Sequence, residues 1–301
     1  DWNKFERLTP YRVREVLLIA SQFDRYILEE SGYLAEILQD EYSTLNLSQA
    51  PRIIHSPEIE DAVELFENRI FDLVITMPKV GGSDAKHIAK KIKEIREEVP
   101  VVLLSQNTRE LATLSTGDGI DMIFVWSGDS RILLSICKLI EDERNVENDV
   151  QDGDVQVILL VEDSRRFYSA YLPLLYTQLV EQTTGLIGEG GNLHEKILRL
   201  RARAKIMLAT DMEEAKEIID KYSRNIIGIF TDGRFPNPNG KRETAGLELV
   251  KYAQSGHRNM PILLQSKNIE LAEEAASLGV PFLHKEDPML YNRIEEFMVD
   301  E

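Results

Sequence analysis

Eight short runs of aliphatic and aromatic residues punctuate the chain, four in each half, and each ends on polar residues. In the first half they are Val16-Leu17-Leu18-Ile19-Ala20, Phe71-Asp72-Leu73-Val74-Ile75-Thr76, Pro100-Val101-Val102-Leu103-Leu104-Ser105 and Met122-Ile123-Phe124-Val125. In the second they are Val157-Ile158-Leu159-Leu160-Val161, Ile226-Ile227-Gly228-Ile229-Phe230-Thr231, Pro261-Ile262-Leu263-Leu264-Gln265 and Val280-Pro281-Phe282-Leu283-His284. Nearly continuous β-branched runs of this length mark strands buried on both faces, as in a parallel sheet covered by helices. Between them lie apolar residues at helical spacing, as from Arg165 to Val180, where Pro173 predicts a kink. Residues Arg131 to Ile140 read as the last helix of the first half, with Cys137 as a core thiol. The acidic stretch 147–154 lacks apolar anchors and reads as a linker. The pattern predicts an α/β chain with an N-terminal segment 1–11, a first doubly wound domain 12–146, the linker 147–154 and a second domain 155–301.

Two stretches exceed what a plain unit of this kind needs, Ser31–Gln49 and Thr183–His194, and their matching placement implies duplication. In and around the first, Tyr26, Tyr33, Leu34 and Tyr42 could supply a domain contact or a homodimer contact, although helical spacing assigns part of them to the core. Gly188 to Gly191 is not followed by Gly-Lys-Ser/Thr, so it reads as a flexible loop and not as a phosphate loop.

The chain has 301 residues and a net charge of −17, with 17 basic against 28 acidic residues in 1–150 and 18 against 24 in 151–301. Both halves are acidic, which argues against DNA or other nonspecific nucleic-acid binding. The one basic run, Arg199, Arg201, Arg203 and Lys205, is expected to be a solvated or partner-facing edge. The single cysteine excludes an internal disulfide and suits a reducing, cytoplasmic setting. No apolar run is long enough to span a membrane and no signal peptide opens the chain. It starts at Asp1 and not at Met, which suggests a processed chain or a piece of a longer one.

Candidate chemistry gathers where the second-half runs end. The first runs into Glu162 and Asp163, the second into Asp232, the third into Ser266 and the fourth, through His284, into Lys285. In an open α/β sheet, ligands collect just beyond the carboxyl ends of the strands, so these groups are expected in one crevice. Three adjacent carboxylates raise one another's pKa unless a hard cation lies among them, and an oxygen-only donor set favours Mg²⁺. Acids at strand ends can also serve only as helix caps, and for an isolated pair that would be the better reading. Here five positions agree.

With these residues in place, 155–301 resembles a response-regulator receiver (CheY-like) domain. The resemblance implies a flavodoxin-like (βα)5 sheet of order 2-1-3-4-5, with Glu162 and Asp163 as the acidic pair and Asp232 as the phosphoacceptor. It implies Ser266 as the switch hydroxyl, Phe282 as the switch aromatic and Lys285 as the lysine of the site. Pro236 follows the acceptor at the family's spacing, and Gly246-Leu247-Glu248-Leu249 resembles the start of the following helix. The implied cofactor is Mg²⁺, held by Glu162, Asp163, Asp232 and the Arg234 carbonyl. The implied partners are a histidine kinase or phosphotransfer protein and an output domain or effector outside this chain. Two departures are Glu286, where many receivers carry proline, and the bulky Lys267 beside Ser266.

The first half follows the same plan without its charges. Ser21 and Gln22 replace the acidic pair, Met77 stands at the acceptor position before Pro78, Ser105 keeps the hydroxyl and Trp126 replaces the lysine. A thioether cannot accept a phosphoryl group, so residues 12–146 resemble a pseudo-receiver used for packing or recognition. Asp72, at the beginning of its run, is expected to cap or face solvent. The paired halves also resemble the N-terminal regulatory region of some phosphoenolpyruvate synthase or pyruvate phosphate dikinase-like proteins, whose catalytic domains would lie beyond Glu301. Three classes follow: a phosphoacceptor signalling module, a purely structural assembly pair, and a haloacid-dehalogenase-type phosphatase. The last is disfavoured because Glu162-Asp163-Ser164 lacks Asp-x-Asp. His194, His257 and His284 are not expected to carry phosphate or zinc.

Overall fold

The computed structural model describes residues 6–28, 39, 42, 50–109, 113–129, 131–185, 200–238, 240–256 and 260–300. The chain divides into two compact units, Tyr11–Glu141 and Asp142–Glu301, the latter joined by the residues before Tyr11.

The first unit contains β1 (Glu15–Ile19), α1 (Gln22–Leu28), β2 (Arg52–Ser56), α2 (Ile59–Asn68) and β3 (Leu73–Thr76). A small antiparallel ribbon of β4 (Lys79–Val80) and β5 (Ser83–Asp84) follows, then α3 (Ala85–Ile95), β6 (Val101–Ser105), β7 (Met122–Val125) and the start of α4 (Arg131–Gly153). Its five-stranded sheet runs β2-β1-β3-β6-β7 with every pair parallel. Counted within the unit, this is the order 2-1-3-4-5, a flavodoxin-like doubly wound sheet. The continuous apolar runs explain it, since β3 and β6 are buried along their whole length. Asp72 is a cap: its carboxylate accepts from the Arg14 and Glu15 amides at 2.8 and 3.0 Å, anchoring the start of β1. The Asp84 side chain caps α3 by accepting from the His87 amide at 2.8 Å.

The second unit takes the rest of α4, then β8 (Val157–Val161), α5 (Arg165–Gly185), β9 (Lys205–Ala209), α6 (Met212–Tyr222) and β10 (Ile226–Asp232). After a 3₁₀ turn at Arg242–Thr244 come α7 (Ala245–Gly256), β11 (Ile262–Ser266), α8 (Leu271–Ser277), β12 (Phe282–His284) and α9 (Leu290–Asp300). The sheet is β12-β11-β10-β8-β9, all parallel, again 2-1-3-4-5 within the unit. One face carries Val157, Leu159, Val161, Ile229 and Leu264 into a core shared with Ala215, Ile219, Leu247, Val250 and Ala253 of α6 and α7. Among the described residues no helix is long and apolar enough to cross a membrane.

Several expectations change. Residues 147–153 are not a linker: they continue α4, and the two units divide between Glu141 and Asp142. The stretch looks acidic and anchorless in sequence because its inward side chain is itself an acid, the fully buried Asp149. The residues before Tyr11 are likewise not free-standing, since the Thr9 amide donates to Asp149 at 2.8 Å. Pro173 lies inside α5, where the Thr177 hydroxyl donates to the Pro173 carbonyl at 2.8 Å, so the expectation of a kink there stands as it was. Of the two long stretches, Ser31–Gln49 lies outside the described residues except for positions 39 and 42, and Thr183–His194 except for 183–185. Tyr33, Leu34, Gly188 to Gly191, His194, Arg199 and His257 lie outside them too.

The largest correction concerns the basic run. Arg203 and Lys205 are buried, 6% and 1% exposed, not solvated. Arg203 donates to both oxygens of the fully buried Asp142, at 2.7 and 2.9 Å, and Asp142 also accepts from the Tyr176 hydroxyl and the Ile206 amide. Lys205 lies 2.8 Å from Asp149 and donates to the Thr9 hydroxyl at 3.0 Å. Alternating charges on an edge and on a buried network are identical in sequence, and only the two aspartates of α4 distinguish them. Removing one partner from such a pair strands a buried charge. Asp142→Ala is therefore expected to lower stability by about 3–5 kcal/mol, read as a shift in the urea midpoint, and an unmoved midpoint would remove the network from the list of stabilising contacts.

Candidate functional site

Strands β8 and β10 are neighbours at the centre of the second sheet, and the turns at their carboxyl ends bring the acids together. One ligand oxygen from each of Glu162, Asp163 and Asp232 lies within 4.8 Å of the others. Lys285, just beyond β12, reaches under them: its ammonium lies 2.6 Å from Glu162 and 2.9 Å from Asp232. Glu162 is fully buried, accepts from the Ser164 amide at 3.1 Å, and is fixed in the backbone by its own amide donating to Ala209. Ser266, 3% exposed at the end of β11, accepts from the Asn268 amide at 3.1 Å, and its carbonyl accepts from the Lys285 amide at 3.0 Å. Phe282 is half-buried beside the core, in register with Leu264 and so on the same sheet face as Ser266. Arg234 is exposed in the turn after Asp232. The five residues singled out at the strand ends thus occupy one crevice.

Two glycines allow this closeness. A Cβ on Gly246, in the first turn of α7, would meet the Asp232 carbonyl oxygen at 2.2 Å and Gly233 Cα at 2.7 Å. A Cβ on Gly233 would fall 2.9 Å from the Ser266 hydroxyl. Side chains at either place would force the acceptor turn away from α7 or from β11.

Four neighbours were not anticipated. The guanidinium of Arg242 pairs with Asp163, placing a cation of the chain's own beside the acidic trio. Phe167 of α5 lies over Lys285, with its ring centroid 4.2 Å from the ammonium. Gln265 is the Cα partner of Asp232 in the β10–β11 register and shares its sheet face, yet both polar atoms of its buried amide lack a hydrogen-bond partner among the described residues. The buried Tyr171 hydroxyl also lacks one. No spacing rule points to Arg242 or Gln265; Phe167 and Tyr171 were visible only as part of the helical pattern of α5. The two departures from the receiver pattern meet each other, since Lys267 lies 3.8 Å from Glu286.

Burial dominates the electrostatics. It pushes the Glu162 carboxyl up to about 8, with Lys285 opposing and Asp232 adding to the rise. Asp163 is raised as well, by burial, against the pull of Arg242. Carboxylates raised by burial and mutual repulsion are a fit for a hard divalent ion, which would supply charge where the solvent does not. The donors are all oxygens, as Mg²⁺ prefers.

No family model and no curated protein matches the chain. Among solved structures it is similar to the signal receiver domain of an HD domain-containing protein from Pseudomonas fluorescens Pf-5, at 19% identity and a TM-score of 0.36, over 46% of this chain and 94% of that one. It is similar to a two-component system response regulator/GGDEF domain protein at 13% identity and TM-score 0.39, over 95% and 98% of the two chains. It is also similar to the response regulator TrrA from Thermotoga maritima, solved with Mg²⁺-BeF, at 19% identity and TM-score 0.32, over 42% and 98%. The fold itself rests on strand order and register.

The raised Glu162 carboxyl has a signed consequence. Folded Glu162 keeps its proton to about pH 8, whereas an unfolded glutamate releases it near 4.5. Its contribution is therefore full below about 4.5 and is lost as pH rises toward 8. In chelator-treated protein, urea titrations across this window are expected to show stability falling with pH in the wild type and a flatter profile in Glu162→Gln; equal slopes would contradict the assignment.

Proposed function

We propose that the second unit is a phosphoacceptor receiver and that Asp232 is its nucleophile. The observation that carries this reading is the Lys285 ammonium held between Glu162 and Asp232, with Asp163 completing an oxygen-lined pocket. A carboxylate oxygen of Asp232 attacks the phosphorus of a phosphohistidine or a small acyl phosphate. The new P–O bond gives an aspartyl phosphate, and the bond to imidazole nitrogen or acyl oxygen breaks with its electron pair. Lys285 pairs with a phosphoryl oxygen, and in doing so releases part of its hold on Asp232. Glu162, Asp163, Asp232 and the Arg234 carbonyl would hold Mg²⁺, which supplies the charge neutralisation that phosphoryl transfer needs. In this reading Ser266 turns its hydroxyl, which accepts from the Asn268 amide, toward the new phosphate, and the half-buried Phe282 follows into the space this opens. The partners of such a module are a histidine kinase or phosphotransfer protein and an effector that reads the α8, β12 and α9 face.

The first unit is, in the same reading, a pseudo-receiver. Met77 is 1% exposed where an acceptor would stand, and Ser21 caps α1, its hydroxyl accepting from the Asp24 amide at 3.1 Å in place of an acidic pair. The alternative, an assembly module that is never phosphorylated, would make Asp232 dispensable.

Incubation with Mg²⁺ and acetyl phosphate is expected to add one phosphoryl group to the intact chain and none to Asp232→Asn, by mass spectrometry. An unmodified wild type that also fails to bind beryllofluoride would leave the assembly reading. Arg242 occupies ground that a divalent ion needs, and it is a half-exposed pair of modest strength. Arg242→Ala is thus expected to tighten Mg²⁺ binding by a factor on the order of a few, measured calorimetrically; unchanged affinity would show that the guanidinium does not compete.

A further inference from the structure

Between Asp232 and α7 lie residues 233–244, whereas between Met77, its counterpart in the first unit, and α3 lie only residues 78–84. The longer segment is fastened on both sides. The Pro236 carbonyl accepts from the Met212 amide of α6 at 3.0 Å. The Glu248 carboxylate of α7 accepts from the Asn237 side-chain amide at 2.8 Å and from the Thr244 hydroxyl at 3.1 Å. A Cβ on Gly240 would run into the Asn237 amide and the Glu248 carboxylate, so the segment turns there against α7. One carboxylate thus ties together positions on either side of the 3₁₀ turn, and what the turn presents is Arg242, with its guanidinium on Asp163.

A half-exposed ion pair stabilises little, so stability does not account for this construction. Position does. Asp163 offers a ligand oxygen within 4.8 Å of one from Asp232, which puts the guanidinium at the border of the space that a phosphoryl group on Asp232 would fill. Lys285 is buried and lies between Glu162 and Asp232, so Arg242 is the cation on the open side. A phosphoryl group in transfer spreads its charge over three oxygens, and the fork of a guanidinium matches two of them. We propose that Arg242 is a phosphoryl-binding residue of this site, an inference that rests on reading Asp232 as the phosphoacceptor. Asp163 holds the guanidinium before transfer. Once Asp163 turns to a divalent ion, Arg242 is released to donate to two oxygens of the incoming phosphoryl group. These hydrogen bonds form beside the transfer already described and change no covalent bond of their own. Removing Arg242 then has opposite consequences for the ion and for the phosphoryl group, which a guanidinium that only competes with the ion would not have.

The test measures phosphoryl incorporation from acetyl phosphate into the full chain at Mg²⁺ concentrations that saturate each variant. Mg²⁺ affinity is read by calorimetry and beryllofluoride affinity by fluorine NMR. In Arg242→Ala, incorporation is expected to be slower and beryllofluoride to bind more weakly, each by roughly ten- to hundredfold, while Mg²⁺ binds no less tightly. Arg242→Lys keeps the charge and loses the fork, and is expected to fall between Arg242→Ala and the wild type. Lys241→Ala, which removes an exposed charge from the same segment, is expected to match the wild type. Arg242 is half-exposed, so its variants should keep the wild-type urea midpoint. If Arg242→Ala accepts phosphate as fast as the wild type or holds beryllofluoride as tightly, the inference is overturned while Asp232 remains the acceptor. Equal slowing in Lys241→Ala overturns it too, since the effect would then come from the general field and not from contact. A wild type that gains no phosphoryl group overturns both the inference and the reading beneath it.

Discussion

The Lys285 ammonium is the contact on which the second unit's crevice depends. Glu162 is wholly buried and Asp232 nearly so, and two carboxylates drawn from neighbouring central strands would repel strongly in that setting. A single lysine delivered from β12, the edge strand, lies within 3 Å of both. For it to arrive there, β11 must stand between β10 and β12 in register, and α7 must approach closely enough that Gly246 has no room for a side chain. The order of strands, the glycine at the start of α7 and the aromatic ring of Phe167 over the ammonium all serve this one placement of charge. The site is correspondingly poised: the lysine is shared between Asp232 and Glu162, whose proton burial holds up to about pH 8, while Asp163, on the more open side, turns to Arg242.

A second set of buried charges governs the opposite end of the same sheet. Asp142, Asp149, Arg203 and Lys205 meet where β9 begins, with Tyr176 of α5 and Thr9 adding hydrogen bonds. Buried pairs of this kind seldom stabilise more than apolar residues of equal volume would, but they punish any misplacement. Their effect is on specificity: the residues before Tyr11, the later half of α4 and the start of β9 each carry a polar group that is satisfied only in this one arrangement.

Much of the fold was legible because parallel strands buried on both faces leave unbroken apolar runs, and all eight runs hold strands close to where they were expected. The site residues were legible for a related reason. A polar residue ending such a run has few places to go except the crevice, so Glu162, Asp163, Asp232, Ser266 and Lys285 could be assembled from strand ends alone. What escaped notice lacks that periodic signature. Arg242 comes from a three-residue 3₁₀ turn, Gln265 breaks an apolar run only by its amide, and residues 147–153 hide a helix because the inward side chain is an aspartate with a lysine partner more than fifty positions away. Charge pairing over such distances leaves no local pattern.

The contrast between the two halves follows from the same electrostatics. Met77 and Trp126 stand just past β3 and β7, as Asp232 ends β10 and Lys285 follows β12, and the two pairs cannot be exchanged singly. A lysine at 126 without carboxylates would be a half-buried cation in need of a counter-ion, and an aspartate at 77 without a lysine would be a buried anion with none. Acids and lysine are therefore expected to occur together or not at all; in the first unit Ser21 caps α1 and Met77 is buried. The crevice does not depend on those charges, because it is a property of the strand order that both units share.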